Sequence, residues 1–255
     1  MSTIALHRPN FSRRWRMVQA SASKGAGFLK KFSPSNIIFD TPREARHHEE
    51  YWMAAWLRAE SHWEGRENER YAESNRRKFA QQELNAMTRR YNSKLGEKCM
   101  CIVMEGDVDG EDEVKKEDGE LKHSILKSVA GTLDLSIQHL SHGQTFPGER
   151  LKHPLVCLLD RKSSICYGYI ANLCIAKSAR RQGVATTMLR YAISAANSNG
   201  AEKVFVHVHR HNKPARNLYQ KIGFQVVDAA SFQLYVEQTY LLCLDVSSCD
   251  VRLSI

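Results

Sequence analysis

The chain has 255 residues, 42% of them hydrophobic, which is enough to bury a core and excludes a chain that stays extended for want of apolar surface. Its formal net charge is +9, but seven of the 37 Lys/Arg (Arg8, Arg13, Arg14, Arg16, Lys24, Lys30 and Lys31) fall in residues 1–39, which hold no Asp or Glu. The other 30 basic residues face 28 acidic ones, so the body of the chain makes no electrostatic case for a nucleic-acid partner.

Residues 1–35 are Arg-rich, acid-free and dotted with Ser2, Ser12, Ser21, Ser23, Ser33 and Ser35. That composition fits an organellar transit peptide; a secretory signal would need a continuous apolar stretch. Val18-Gln19-Ala20-Ser21 resembles a plastid processing site, and the alternative is a disordered basic terminus that carries no address. Residues 36–255 read as one domain without internal repeats. No apolar run reaches the roughly 18 residues needed to span a bilayer.

Asn36-Ile37-Ile38-Phe39 predicts a first strand. Residues 47–63 then carry Trp52, Ala55, Trp56 and Trp63 at helical spacing, and Ala80, Leu84, Met87 and Tyr91 repeat the pattern in a second helix. Both stripes read as core. Strands are predicted at 98–104 and 125–138. Between them, residues 107–120 hold eight acids and two lysines without the glycine spacing of a calcium loop, and read as a solvated hairpin tip. A second insertion, 141–154, contains Gly143, Pro147, Gly148 and Pro154 and reads as a loop. The order continues with strand 163–176, helix 183–198, strand 203–209, helix 213–222 and final strands near 224–228 and 239–246. The seven cysteines are odd in number and lack a C-x-x-C pair, so they read as reduced thiols and not as a disulfide frame or zinc site.

The richest stretch runs from Asn172 to Phe224. Arg180-Arg181-Gln182-Gly183-Val184-Ala185 stands directly before the apolar helical pattern Met188, Leu189, Ala192, Ile193 and Ala196. A helix N-terminus presents unpaired N–H groups and the positive end of the dipole, and a glycine there lets an anion come close. By itself such a turn is as consistent with a plain loop as with a phosphate site. The order R-x-x-G-x-A, helix, strand, Asn212 and N-L-Y-Q-K-I-G-F, however, resembles the acetyl-CoA-binding core of the GNAT N-acetyltransferase superfamily. The likeness is strong over about residues 165–227 and looser from about 36 to 246.

That resemblance implies an α/β fold with a mixed, mostly antiparallel central sheet splayed at its fourth strand and flanked by helices on both faces. It implies acetyl-CoA as co-substrate and no metal. Leu173, Cys174 and Ile175 would offer strand backbone to the pantetheine. Arg180, Arg181, Gln182, Gly183, Val184, Ala185 and Thr186 would hold the pyrophosphate, and Asn212 would bond the pantetheine arm or cap its own helix. Tyr219 occupies the position whose phenol serves the departing thiolate, the alternative being a packing role. The segment from Tyr169 to Gly183 and the H-V-H-R-H-N run resemble N-terminal acetyltransferases in which a Tyr and a His relay the amine proton through water. By that carry-over Tyr169 and His207 are the base pair, with His207 titrating near the working pH. Alternate His207, His209 and His211 share a strand face, which also leaves structural and metal-binding readings open.

The implied activity is acetyl transfer to a protein N-terminal α-amine, with lysine ε-amines as a second acceptor. The likeness to plant plastid enzymes favours the plastid over the mitochondrion or cytoplasm. The rivals are an arylalkylamine (serotonin-type) acetyltransferase and a non-catalytic acetyl-CoA-binding module. The expected partner is a protein or peptide acceptor; the sequence does not specify an oligomeric state.

Overall fold

A computed structural model describes residues 39–66, 69–91, 98–106, 129–149, 165–231 and 234–246. The amino-terminal tail, residues 36–38 of the strand expected at 36–39, the acidic segment 107–120 and residues 150–154 of the 141–154 insertion lie outside these residues. Phe39 makes a single bridge to Gly106.

The chain order is β1 (Arg43–Glu44), α1 (His48–Trp63), α2 (Ala72–Tyr91), β2 (Lys98–Glu105), β3 (Val129–His139), β4 (Cys166–Ile175), a 3-10 turn (Lys177–Ala179), α3 (Val184–Ser198), β5 (Lys203–His209), α4 (Lys213–Ile222), β6 (Gln225–Val226), α5 (Asp228–Ser231) and β7 (Thr239–Asp245). The strands form one seven-stranded sheet ordered β1-β2-β3-β4-β5-β7-β6, with β4 and β5 parallel and every other neighbour antiparallel. The α/β class, the mixed sheet and the helices on both faces agree with the expectation.

Alternation within the strands divides the core. Met100, Ile102 and Met104 of β2 and Val204, Val206 and Val208 of β5 pack with the α3 stripe Val184, Met188, Leu189, Ala192, Ile193 and Ala196. On the opposite face Cys101 and Val103 meet Ala54, Ala55, Leu84 and Met87, while Tyr167, Phe205 and Leu241 meet Phe146 and Ala230. Helix α3 lies close on the sheet: a Cβ at Gly168 would stand 2.9 Å from the Ala196 Cβ. The α1 stripe differs from its expected form. Met53, Ala54, Ala55, Leu57 and Ala59 are buried, whereas Trp52, Trp56 and Trp63 are only half-buried. Small residues allow α1 to approach the strands, and the indoles are displaced to its flanks.

Arg58 sits inside that apolar stripe at 3% exposure. Its guanidinium donates to Asp134 of β3 at 2.6 and 3.1 Å, to Glu83 of α2 at 3.0 Å and to Thr132 at 3.2 Å. Arg90 and Tyr91, in the last turn of α2, also donate to Asp134. Burial pushes the Asp134 carboxyl upward, but Arg58 and Arg90 outweigh it and hold the group below the usual carboxylate range. At the head of α1, burial likewise opposes ionisation of Glu50. Bonds from Arg43 and the N–H groups of Arg46 and His47 prevail and bring its pKa down to about 2.

Removing one partner of a buried pair strands the other charge, so Arg58→Ala should cost about 3–5 kcal/mol in urea unfolding. Arg66→Ala, at the partly exposed pair with Glu69 (3.9 Å), should cost less than about 1 kcal/mol. Equal losses for the two variants would refute the assignment of Arg58 as the buried hub.

Candidate active site

Strands β4 and β5 pair over only four positions, from Tyr167↔Lys203 to Ile170↔Val206. Beyond them β4 continues to Ile175 on β3, and β5 continues to His209 on β7. The sheet therefore opens between two diverging strands, leaving β4 without a strand partner on that edge over Ala171–Ile175, where Arg180 Nε takes the Ile175 carbonyl. Backbone N–H and C=O groups at such an edge require an outside partner.

The opening coincides with a bulge. Asp134 faces Ala171 and Thr132 faces Cys174, so Leu133 alone opposes both Asn172 and Leu173. Asn172 takes φ +54°, and its side-chain amide donates to Asp134 at 2.9 Å. The extra residue inverts the pleat: Leu173 and Ile175 pack on the α3 side with Ile170, and Cys174 packs against Met53 and Leu57 of α1.

The chain then turns through Arg181 (φ +66°) and Gly183 (φ +86°) into α3, whose first-turn N–H groups from Val184, Ala185 and Thr186 have no carbonyl four residues earlier within the helix. Arg180, Arg181, Gln182 and Gly183 are exposed. A Cβ on Gly183 would meet no protein atom within 4 Å, so space lies open before the turn; the glycine is required by its left-handed backbone. Arg180 departs from the expected arrangement. Its guanidinium forms a two-pronged pair with Glu64 at 2.8 and 2.7 Å, and its Nε donates to the Ile175 carbonyl at 3.1 Å. It ties the end of α1 to the turn, while Gln182 Nε2 donates to Ser178 O. Of the three polar side chains, Arg181 is a charged one that shows no ion pair among the described residues.

Three phenol and imidazole groups converge on the opening from opposite faces. Tyr169 and His207 project from the Phe205 face, with the phenol oxygen 2.7 Å from His207 Nδ1. Tyr219 comes from α4, buried among the residues of the α3 face at 5% exposure, close enough to Cys174 and Tyr169 for their charges to act on one another. Asn212 caps α4, its Oδ1 accepting from Ala215 N at 3.2 Å. Gly223 closes the helix with its N–H on the Tyr219 and Gln220 carbonyls.

Burial sets the electrostatics. It raises the pKa of both Tyr169 and Tyr219, so each phenol keeps its proton. It lowers that of His207 to about 4, which corrects the expectation of a histidine titrating near working pH: the ring is neutral there. His209 and His211 lie beside each other with ring centroids 5.3 Å apart, and His209 Nδ1 accepts the His211 backbone N–H. Among the described residues no group of three or more His, Cys, Asp or Glu is arranged to hold a metal.

Asn172, Asp134, Arg58 and Glu64 are site supports that the motif reading does not single out. Two had a visible signal: Asp134 interrupts the apolar run Leu133–Leu135, and Arg58 interrupts Leu57–Ala59.

Residues 156–224 match the acetyltransferase (GNAT) family. The chain is 54% identical over 200 residues to GCN5-related N-acetyltransferase 6, chloroplastic, of Arabidopsis thaliana, covering 78% of this chain and 66% of that protein, just under two thirds of its length. It is 34% identical over 90 residues to human N-alpha-acetyltransferase 30, covering 35% of this chain and 25% of that protein. It also overlays on Arabidopsis thaliana NAA60 in complex with a bisubstrate analogue, with a TM-score of 0.43, 16% identity and 82% and 99% of the two chains covered.

The burial of His207 has a consequence for solution measurements. Its imidazole resonances should titrate with a midpoint of about 4 instead of the usual 6.5. The unfolded chain takes up this proton near 6.5, so between about 6.5 and 4 the group makes stability fall as pH falls. A native midpoint near 6.5 would overturn this placement.

Proposed function

This chain carries a GNAT acetyltransferase domain, and we propose that it moves the acetyl group of acetyl-CoA onto protein N-terminal α-amines in a direct ternary complex. The observation that carries this reading is the parting of β4 from β5 beside the left-handed turn into α3. An unpaired strand edge suits an amide-bearing pantetheine chain, which can bond to it as an added strand does. A helix N-terminus with open space before it suits a pyrophosphate. The residues present fit acetyl-CoA: Leu173, Cys174 and Ile175 would hold the pantetheine. Gln182, Gly183, Val184, Ala185 and Thr186 would hold the pyrophosphate with Arg181, and Asn212 would border the arm. Arg180 enters this scheme as a brace for the turn through Glu64.

In this scheme the amine nitrogen attacks the thioester carbonyl carbon, the carbon–sulfur bond breaks, and the nitrogen loses one proton. The Tyr169–His207 contact gives that proton a route. Tyr169 keeps its hydrogen, so the phenol is assigned as donor to the unprotonated Nδ1, and the neutral ring carries its own hydrogen on Nε2. A proton arriving at the Tyr169 oxygen through water then displaces the phenol proton onto Nδ1. Tyr219, on the other face, would donate a hydrogen bond to the departing sulfur. Its raised pKa makes it a poorer acid than free tyrosine, so it stabilises the thiolate without full proton transfer.

A weak base of this kind selects among acceptors. An α-amine loses its proton near pH 8 and a lysine near 10.4, so freeing the α-amine costs about 3.4 kcal/mol less. The relative named N-alpha-acetyltransferase 30 supports the same acceptor class. The chloroplastic relative and the acid-free basic segment 1–35 together support a plastid address, with a fluorescent fusion of the full chain as its check.

The test is mass spectrometry of a proteome-derived peptide mixture after incubation with acetyl-CoA and the full chain, reading α-amine and lysine acetylation together. Acetylated N-termini are expected, with Tyr219→Phe and Tyr169→Phe each lowering kcat by about 10²-fold while coenzyme A binding persists. Turnover confined to small amines would replace the acceptor. Binding without any turnover would leave a non-catalytic module.

A further inference from the structure

The bulge in β4 decides which residues face which side of the opening, and one side chain holds it. Strict alternation from Ile170 would place Asn172 and Cys174 on the α3 side. Instead Leu173 and Ile175 pack there, and Cys174 turns to α1. In an extended strand each residue directs its N–H and C=O to one neighbour, and the next residue directs its own to the other. The one-residue insertion therefore also switches which backbone groups of Leu173–Ile175 point to the unpaired edge.

The insertion requires a left-handed residue, and Asn172 supplies one at φ +54°. Asparagine tolerates that region better than most side chains, but it is not the residue of least strain, which would be glycine. What asparagine adds is its amide bond to Asp134 Oδ2 at 2.9 Å. Asp134 is 5% exposed and is itself held by Arg58 from α1 and by Arg90 and Tyr91 from α2. Four donors from three elements thus meet on one carboxylate, which sits directly across from the start of the bulge at Ala171. The chain of bonds runs from the two helices, through β3, to the residue that sets the β4 edge.

We propose that Asn172 is a positioning residue for the acyl donor: its bond to Asp134 locks the left-handed bulge and so aims the Leu173–Ile175 backbone at the coenzyme. The proposal rests on the reading of the opening as the donor site. Asn172 itself need not touch the donor.

Two substitutions in the full chain separate the backbone from the bond. Asn172→Gly keeps the left-handed conformation and loses the bond, and should weaken coenzyme A binding by calorimetry about 5-fold. Asn172→Ala loses both and should weaken it about 10-fold further. KM for acetyl-CoA should rise in the same order with kcat largely retained, a split that a loss of stability alone does not produce below the unfolding temperature. If Asn172→Ala does not fold by circular dichroism, the glycine variant against wild type decides the matter. Unchanged affinity in folded Asn172→Gly overturns the lock, and equal affinity in all three chains overturns any positioning role. Failure of the wild-type chain to bind coenzyme A would instead overturn the donor-site reading, and the proposal with it.

Discussion

The pairing of Arg58 with Asp134 is the constraint on which the rest of the molecule is arranged. A guanidinium and a carboxylate, both almost fully buried, are tolerable in an apolar interior only when their hydrogen-bonding capacity is met. Glu83, Arg90 and Tyr91 of α2, Thr132 of β3 and Asn172 of β4 meet most of it; Arg58 Nε alone of the guanidinium nitrogens is left without a partner among the described residues. The apolar contacts of α1 and α2 with the sheet could be satisfied at several offsets. The polar cluster admits one, because a small slide would leave a buried charge without its partner. Registry of the two helices, of β3 and of the β4 bulge is in this way a single problem with a single solution.

The same economy of geometry governs the opening. The groups proposed for the chemistry come from opposite faces of the sheet, and the gap between β4 and β5 is where both faces are open to one another. Tyr169 and His207 stand next to each other because parallel pairing aligns Tyr169 with Phe205, two residues before His207 on the same face. Tyr219 reaches the gap because α4 begins at Asn212, directly after β5, and its capping fixes the rotation of the helix. Desolvation, the first cause acting on all three groups, keeps each one neutral. The site is therefore uncharged at its chemical centre, with formal charge displaced to Arg180, Arg181 and Glu64 at the rim.

Much of this was legible in the sequence. The α3 stripe from Val184 to Ala196, the alternation of Lys203–His209 and the Asn212-to-Gly223 helix have strong periods and clear boundaries, and they fold as expected. The contact of Tyr169 with His207 joins two residues named in advance from the family likeness. What was not legible depends on distant partners. Nothing local to Arg180 indicates that Glu64 will claim it, because the two are brought together only when α1 docks. The tryptophan spacing of α1 pointed to a core of indoles, but the short alanine side chains on the neighbouring arc allow a closer approach and were buried in their place. His207 carries no sequence mark of its lowered pKa, which arises from desolvation of the ring in the folded chain. The Asn172 bulge was invisible because one extra residue in an apolar strand looks like any other strand residue.

The brief seam between β4 and β5 also bears on how this sheet is put together. Every other strand neighbour lies antiparallel, whereas these two run together and must be joined across the whole of α3. The sheet is in effect two antiparallel plates, β1 to β4 and β5 to β7, closed by four residue pairs. Chain-entropy considerations place such a non-local, parallel closure late in folding, after the plates have formed. On this account the proposed donor gap is the unfinished end of the last joint to close, so any lesion that slows the docking of α3 should delay coenzyme binding beyond the recovery of secondary structure.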